Sequence, residues 1–184
     1  MTDPGRSGDD PRDAELIARW KAGNQRAASE LVQRHASALA RFAVSCGARE
    51  DVDELVQDTF VRAFGSLDGF RGDSSFRTWL FTIERRLLMD RRRSEKRRPQ
   101  GMEINEGDAA TEFDALDDLV ADEAQIRVRR AIERLTPTQR EVFVLRVTEG
   151  MSYREIAQAV STTEGAARVH YHNAMRAIKE FLDA

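Results

Sequence analysis

The sequence predicts an all-α protein of two small helical domains joined by a flexible acidic linker. Three observations carry that reading. Apolar residues recur at three- and four-residue spacing along most of the chain, and no stretch alternates as a half-buried strand would. Most of the apolar-periodic stretches open on a capping signal. Charge is segregated: residues 85–98 hold eight bases against two acids, 99–124 hold nine acids and no Lys or Arg, and 125–184 hold ten bases against seven acids.

In order along the chain, residues 1–12 are polar and acidic and read as a disordered tail. Asp13 caps a short predicted helix that Gly23 stops, and Asn24 opens a longer one through Leu31, His35, Leu39 and Phe42 to Gly47. A third helix spans about 51–66, with Val52, Leu55, Val56, Phe60 and Ala63 on its apolar face and four acids crowding its start. Residues 65–74 contain three glycines and two aspartates and read as a loop. Ser75 is the expected N-cap of a fourth helix that runs to Arg98. Residues 99–115 are a linker by composition, so the helical domains fall at 13–98 and 116–184. In the second domain, a first helix ends near Leu135. Thr136-Pro-Thr-Gln139 and Ser152-Tyr-Arg-Glu155 are capping boxes for the next two, and Thr163 caps the last.

Two faces point to nucleic acid. A short capped helix, a three-residue turn and a longer helix make a helix-turn-helix layout. On its second helix Ala167, Tyr171, Ala174 and Ile178 share a packing stripe. Gly165, Arg168, Val169, His172, Asn173 and Arg176 face the other way, with the guanidinium, amide and small groups that read base edges in a major groove. On the fourth helix Arg77, Phe81, Arg85, Leu88 and Arg92 share a side opposite the core stripe. An outward ring among cations suits a single strand, whose bases stack and whose phosphates pair. The acids from Asp51 to Asp58 run a turn past the helix start, where the helix dipole no longer favours them. They read as a docking face for a basic partner.

Composition excludes several classes. The chain has 184 residues, one cysteine and a formal net charge of −3. Cys46 alone makes neither a disulfide nor a cysteine zinc cage, and is expected to be a buried small hydrophobe. No apolar run reaches the roughly 18 residues of a membrane span, and no secretory signal is visible, so the expectation is a soluble cytoplasmic protein without membrane insertion. His170 and His172 lie about 200° apart on a helix, wrong for one metal. No phosphate loop or nucleophile elbow stands out, so neither enzymatic activity nor a metal or cofactor is expected.

Two stretches carry a family resemblance. Asp53-Glu-Leu-Val-Gln-Asp-Thr-Phe-Val-Arg-Ala-Phe64, followed by Phe70-Arg-Gly-Asp-Ser-Ser-Phe-Arg-Thr-Trp-Leu-Phe81, resembles region 2 of the bacterial extracytoplasmic-function (ECF) sigma factors. Leu135-Thr-Pro-Thr-Gln-Arg-Glu-Val-Phe143 and Gly150-Met-Ser-Tyr-Arg-Glu-Ile-Ala157, with Glu164-Gly-Ala-Ala-Arg168, resemble their region 4. The resemblance implies a transcription initiation factor that binds core RNA polymerase and promoter DNA under the control of an anti-sigma factor. Docking on the β′ clamp helices would fall to Asp53, Glu54, Leu55, Gln57 and Asp58, and region 4 would also sit on the β flap. Capture and melting of the −10 element would fall to Phe70, Arg71, Asp73, Ser74, Arg77, Phe81, Arg85 and Arg92. Recognition of −35 would fall to the outward set on the last helix. The alternative is a stand-alone helix-turn-helix regulator, for which a net acidic chain is the less suitable carrier.

Overall fold

A computed structural model describes residues 10–48, 51–97 and 123–183, all helix, turn and loop. The predicted linker at 99–115 and the first residues of the second domain lie outside the described residues. The helices are α1 (Pro11–Lys21), α2 (Gln25–Ser45), α3 (Val52–Gly65), α4 (Phe76–Arg97), α5 (Glu123–Glu133), α6 (Pro137–Val147), α7 (Tyr153–Ala159) and α8 (Glu164–Leu182).

Local chemistry sets most of the boundaries. The Asn24 side chain accepts from the Arg26 amide at 3.0 Å, and Ser75 Oγ accepts from the Thr78 amide at 3.1 Å. Both predicted capping boxes form, each with its reciprocal pair of bonds, and Thr163 Oγ1 accepts from Ala166 N at 3.1 Å. Gly23 and Gly47 end α1 and α2 with φ of +90° and +92°, a conformation that costs glycine little. Within the predicted loop, Leu67–Gly69 forms one 3₁₀ turn that drops Leu67 into the core.

The first helix departs from expectation. It starts at Pro11, inside the predicted tail, and its cap is Asp10, whose carboxylate accepts from Arg12 N at 3.0 Å. Asp13, the predicted cap, is instead buried between α1 and α2. Proline at the first helical position explains the early start, because its missing N–H would have no helical partner there. The Asp13 carboxylate accepts from Arg34 Nε and from His35 Nε2, each at 2.8 Å, and Arg34 also reaches Asp10. Burial alone would raise the Asp13 carboxyl, but its bonds to His35 and Arg34 outweigh that and hold it below the usual carboxylate range.

Helices α1–α4 pack around Leu31, Leu39, Phe42, Leu55, Phe60, Phe76 and Leu80, and α5–α8 around Leu135, Leu145, Ile156, Ala167, Ala174 and Ile178. The two units are not separate bodies. The apolar cluster of α1–α4 continues through Val142, Leu145, Met151 and Ile156, and α7 lies along α4.

Asp13→Asn is expected to destabilise the protein by about 3 kcal/mol at neutral pH, the loss typical of breaking a buried ion pair. A depressed carboxyl contributes stability above its unfolded value, near 3.8 for Asp13, and that stability is lost as pH falls through the lower folded value. Urea unfolding of both proteins from neutral to acid pH should show a smaller acid-side loss for the variant.

Candidate functional site

Helix α3 presents the predicted docking acids on one side. Asp53, Glu54 and Gln57 are exposed and Asp58 is half-buried. Leu55 is not on that surface: it is 1% exposed and belongs to the core, because it lies on the apolar stripe with Thr59 and Phe60. Arg91 of α4 reaches Asp58 Oδ2 at 3.3 Å and Glu54 Oε1 at 3.8 Å, so a cation of the neighbouring helix already faces two of the acids.

The loop before α4 stands on an aromatic base. Phe70 packs on Trp79 and Phe76 with ring centroids 4.9 and 5.9 Å away, and Phe76 meets the His35 ring edge-on. Arg71 and Asp73 remain exposed and Ser74 is half-buried. The Asp73 carbonyl accepts from Gln158 Nε2 of α7 at 3.3 Å, which ties the loop to the other unit.

The predicted strand-binding side of α4 is not an open surface. Phe81 is 1% exposed, set edge-on against Phe42 of α2 at 5.3 Å with Arg77 over its ring, and Leu88 is buried too. A ring enclosed in this way is no platform for a base. The reason is tertiary: α2 and the C-terminal unit cover the side of α4 that the helical wheel leaves free. The arginines of that side are engaged as well. Arg85 Nε donates to Glu141 Oε2 at 2.7 Å, and Arg92 lies 3.7 Å from Glu141 Oε1. Arg77 donates to Glu149 Oε2 at 2.5 Å and to its carbonyl at 2.9 Å. Arg41 of α2 completes the group, 3.2 Å from Glu149 Oε1. Each buried carboxylate thus meets two guanidiniums, the arrangement that makes ionised acids tolerable away from water.

Beside this interface lies Glu84, fully enclosed, with neither carboxyl oxygen hydrogen-bonded. Burial, and then the negative charge of Glu149, pushes its carboxyl up to about 9, so it is protonated at neutral pH. Burial likewise pushes the Cys46 thiol well up, consistent with the inert role expected of it.

The last helix agrees with its predicted faces. Ala167, Ala174 and Ile178 are buried, while Gly165, Arg168, Val169, His172 and Arg176 are exposed and Asn173 half-buried. Arg168 is oriented in advance: its guanidinium donates to Glu164 at 2.6 Å and stacks over Tyr153 of α7 at 4.6 Å. Tyr171 packs between Phe143 and Tyr153, fixing α8 against α6 and α7.

Comparison with known proteins accounts for both units. Residues 18–98 match sigma-70 region 2 and residues 125–178 match sigma-70 region 4. The chain belongs to the sigma-70 family, among its ECF members. It is 38% identical to the RNA polymerase sigma factor CnrH of Cupriavidus metallidurans, over 95% of this chain and 97% of that one. It is 31% identical to the ECF RNA polymerase sigma-E factor of Escherichia coli K12, over 90% and 92%. The solved structure of CnrH in complex with the cytosolic domain of CnrY superimposes with a TM-score of 0.72 at 35% identity, covering 94% of this chain and 97% of that one. The chain is therefore a transcription initiation factor of the sigma type. Among its described residues no helix is long and apolar enough to cross a membrane.

Sequence reasoning missed Glu84, Glu141 and Glu149 as participants in this sigma factor's interface. Two had a signal. Glu84 sits among Leu80, Leu87 and Leu88, and Glu141 precedes Val142, Val144 and Leu145, so each is an acid set into an apolar stripe. Glu149 follows α6 in a turn and had none.

The folded state holds a proton on Glu84 that the unfolded chain releases near its ordinary value of 4.5, so stability falls as pH rises from there through about 9. Glu84→Gln, which imitates the protonated form, is expected to remove that fall. Urea titrations of both proteins at a series of pH values between about 5 and 9 check it.

Proposed function

We propose that this sigma factor docks on core RNA polymerase through α3 and reads promoter DNA with its two helical units, at 13–98 and 116–184. The exposed acids Asp53 and Glu54, with Gln57 and the half-buried Asp58, form the docking face for a basic partner surface, the β′ clamp helices. Phe70, Arg71, Asp73 and Ser74 shape the loop that takes a base of the −10 element. Arg77, Arg85 and Arg92 then hold the melted strand. Phe81 serves this region from the core rather than by stacking on a base. Gly165, Arg168, Val169, His172, Asn173 and Arg176 enter the major groove at −35, while the rest of the C-terminal unit rests on the β flap.

The observation that carries this reading is the outward face of α8, open to solvent while its opposite stripe is locked into α5, α6 and α7. A recognition helix needs that asymmetry, with rigid backing and free base-reading groups. The closed interface between the units supports a second element of the proposal, control by an anti-sigma factor that keeps the arginine side of α4 covered. The complex of CnrH with CnrY concerns a relative similar along nearly its whole length, and a partner of that class is proposed here. A subunit that works on the polymerase acts where transcription takes place, so the proposed location is the cytoplasm.

Run-off transcription with purified core polymerase over a promoter library tests the reading. Glu54→Arg or Asp58→Arg is expected to weaken core binding in a titration while helicity is unchanged, because each puts a cation onto a face chosen for basic partners.

Asn173→Ala and Arg168→Ala should leave core binding intact and lower −35 base discrimination by about 1–3 kcal/mol, the range of a bidentate base contact. Base-by-base substitution of the −35 element reads that loss.

A further inference from the structure

Four arginines of the N-terminal unit converge on two acids of the C-terminal unit. Arg41 stands on α2, and Arg77, Arg85 and Arg92 follow one another along α4 at intervals of eight and seven residues, which keeps them on one side of the helix. Against this row lie Glu141 from α6 and Glu149 from the turn beyond it, with side chains 2% and 1% exposed. Each carboxylate takes two guanidiniums, as an oxyanion of a nucleic-acid backbone does when arginine binds it. Arg41, Arg77 and Arg92 keep 52%, 36% and 31% of their side chains exposed and only Arg85, at 14%, is nearly covered, so the row is a cationic track with two anions laid on it.

From this geometry we infer that Glu141 and Glu149 are an internal substitute for nucleic-acid phosphates. The C-terminal unit and a single strand then compete for the same four arginines, and strand binding opens the molecule. The inference rests on the proposed role of Arg77, Arg85 and Arg92 in holding a melted strand. Competition of this kind is reciprocal: whatever the clasp takes from strand affinity, the bound strand takes from the clasp. One further contact joins the units in the same state: Gln158 of α7 holds the carbonyl of Asp73 in the base-capturing loop. The apolar surface from Val142 to Ile156 joins the same cluster, so the acids set the register of an interface that hydrophobic contact also supports.

The test uses the full-length chain with a fluorescence donor and acceptor on Lys21→Cys and Lys179→Cys, both exposed positions, one in each unit. The buried thiol of Cys46 does not compete for label. Titration with a single-stranded oligothymidylate at low salt is expected to reduce energy transfer as the oligonucleotide binds. The double variant Glu141→Gln, Glu149→Gln is expected to show reduced transfer before any oligonucleotide is added. It should also bind the oligonucleotide about tenfold more tightly, because two competing anions are gone. Arg41→Gln should reduce transfer as well but weaken oligonucleotide binding, a pair of opposite shifts that simple unfolding does not produce; circular dichroism confirms helicity for each variant. Oligonucleotide binding with transfer unchanged, or a double variant that binds no more tightly than the parent, overturns the inference. Run-off transcription by the same proteins separates this from the wider reading. Opening by oligonucleotide without run-off product overturns the promoter-subunit proposal alone. Run-off product without opening by the strand overturns the clasp alone.

Discussion

Two ionised carboxylates withdrawn from water between the helical units govern how the molecule is put together. Glu141 and Glu149 are almost wholly enclosed, and a charge in that position is tolerated only with a full set of partners. Arg85 and Arg92 supply them for one, Arg41 and Arg77 for the other. Because guanidinium and carboxylate pair along defined directions, these contacts specify where α6 lies against α2 and α4 more narrowly than apolar packing does. Glu84 shows the complementary case. It lies beside the same interface without a hydrogen-bonding partner, and it stays neutral because burial, and then the negative charge of Glu149, disfavours its ionised form.

The same arrangement reconciles a net acidic chain with a nucleic-acid ligand. The formal charge of −3 says little about any one surface, since eight bases fall within residues 85–98. In the closed molecule part of that cation density is met internally. A subunit that works within a larger assembly gains from this, because non-specific attraction to nucleic acid scales with the cations left free.

The two other faces differ in how far they are already satisfied. On α3 the acids are partly answered by Arg91, which reaches both Glu54 and Asp58 from α4. On α8, Arg168 is held by Glu164 and Tyr153, while His172 and Arg176 stand exposed on the helix surface. Held side chains lose less freedom on binding, and the aromatic backing of Phe143, Tyr153 and Tyr171 keeps the helix from yielding when it is loaded.

The sequence by itself determined the helical class, most helix starts and the two faces of α8. Each depends on residues two to four apart: caps at Asn24, Ser75, Thr136, Ser152 and Thr163 bond to amides within their own first turn, and an apolar stripe repeats within one helix. Asp13 escaped this logic because a better-placed Asp10 and a proline at the first helical position took the cap, leaving its carboxylate to Arg34 and His35 of the next helix. Only the tertiary structure decided what happens on the far side of α4. A helical wheel shows that Phe81, Arg85 and Arg92 share a side, and it cannot show that α2 and α6 cover it. Leu55 presents the same limit from the other direction, an apolar residue among the proposed docking acids whose position on the stripe sends it into the core. Periodicity is a property of one element, whereas the partner of a charged or aromatic group is chosen by segments far along the chain; Arg41 and Glu149 meet across 108 residues of separation. That choice is made by packing and desolvation, which no local pattern records.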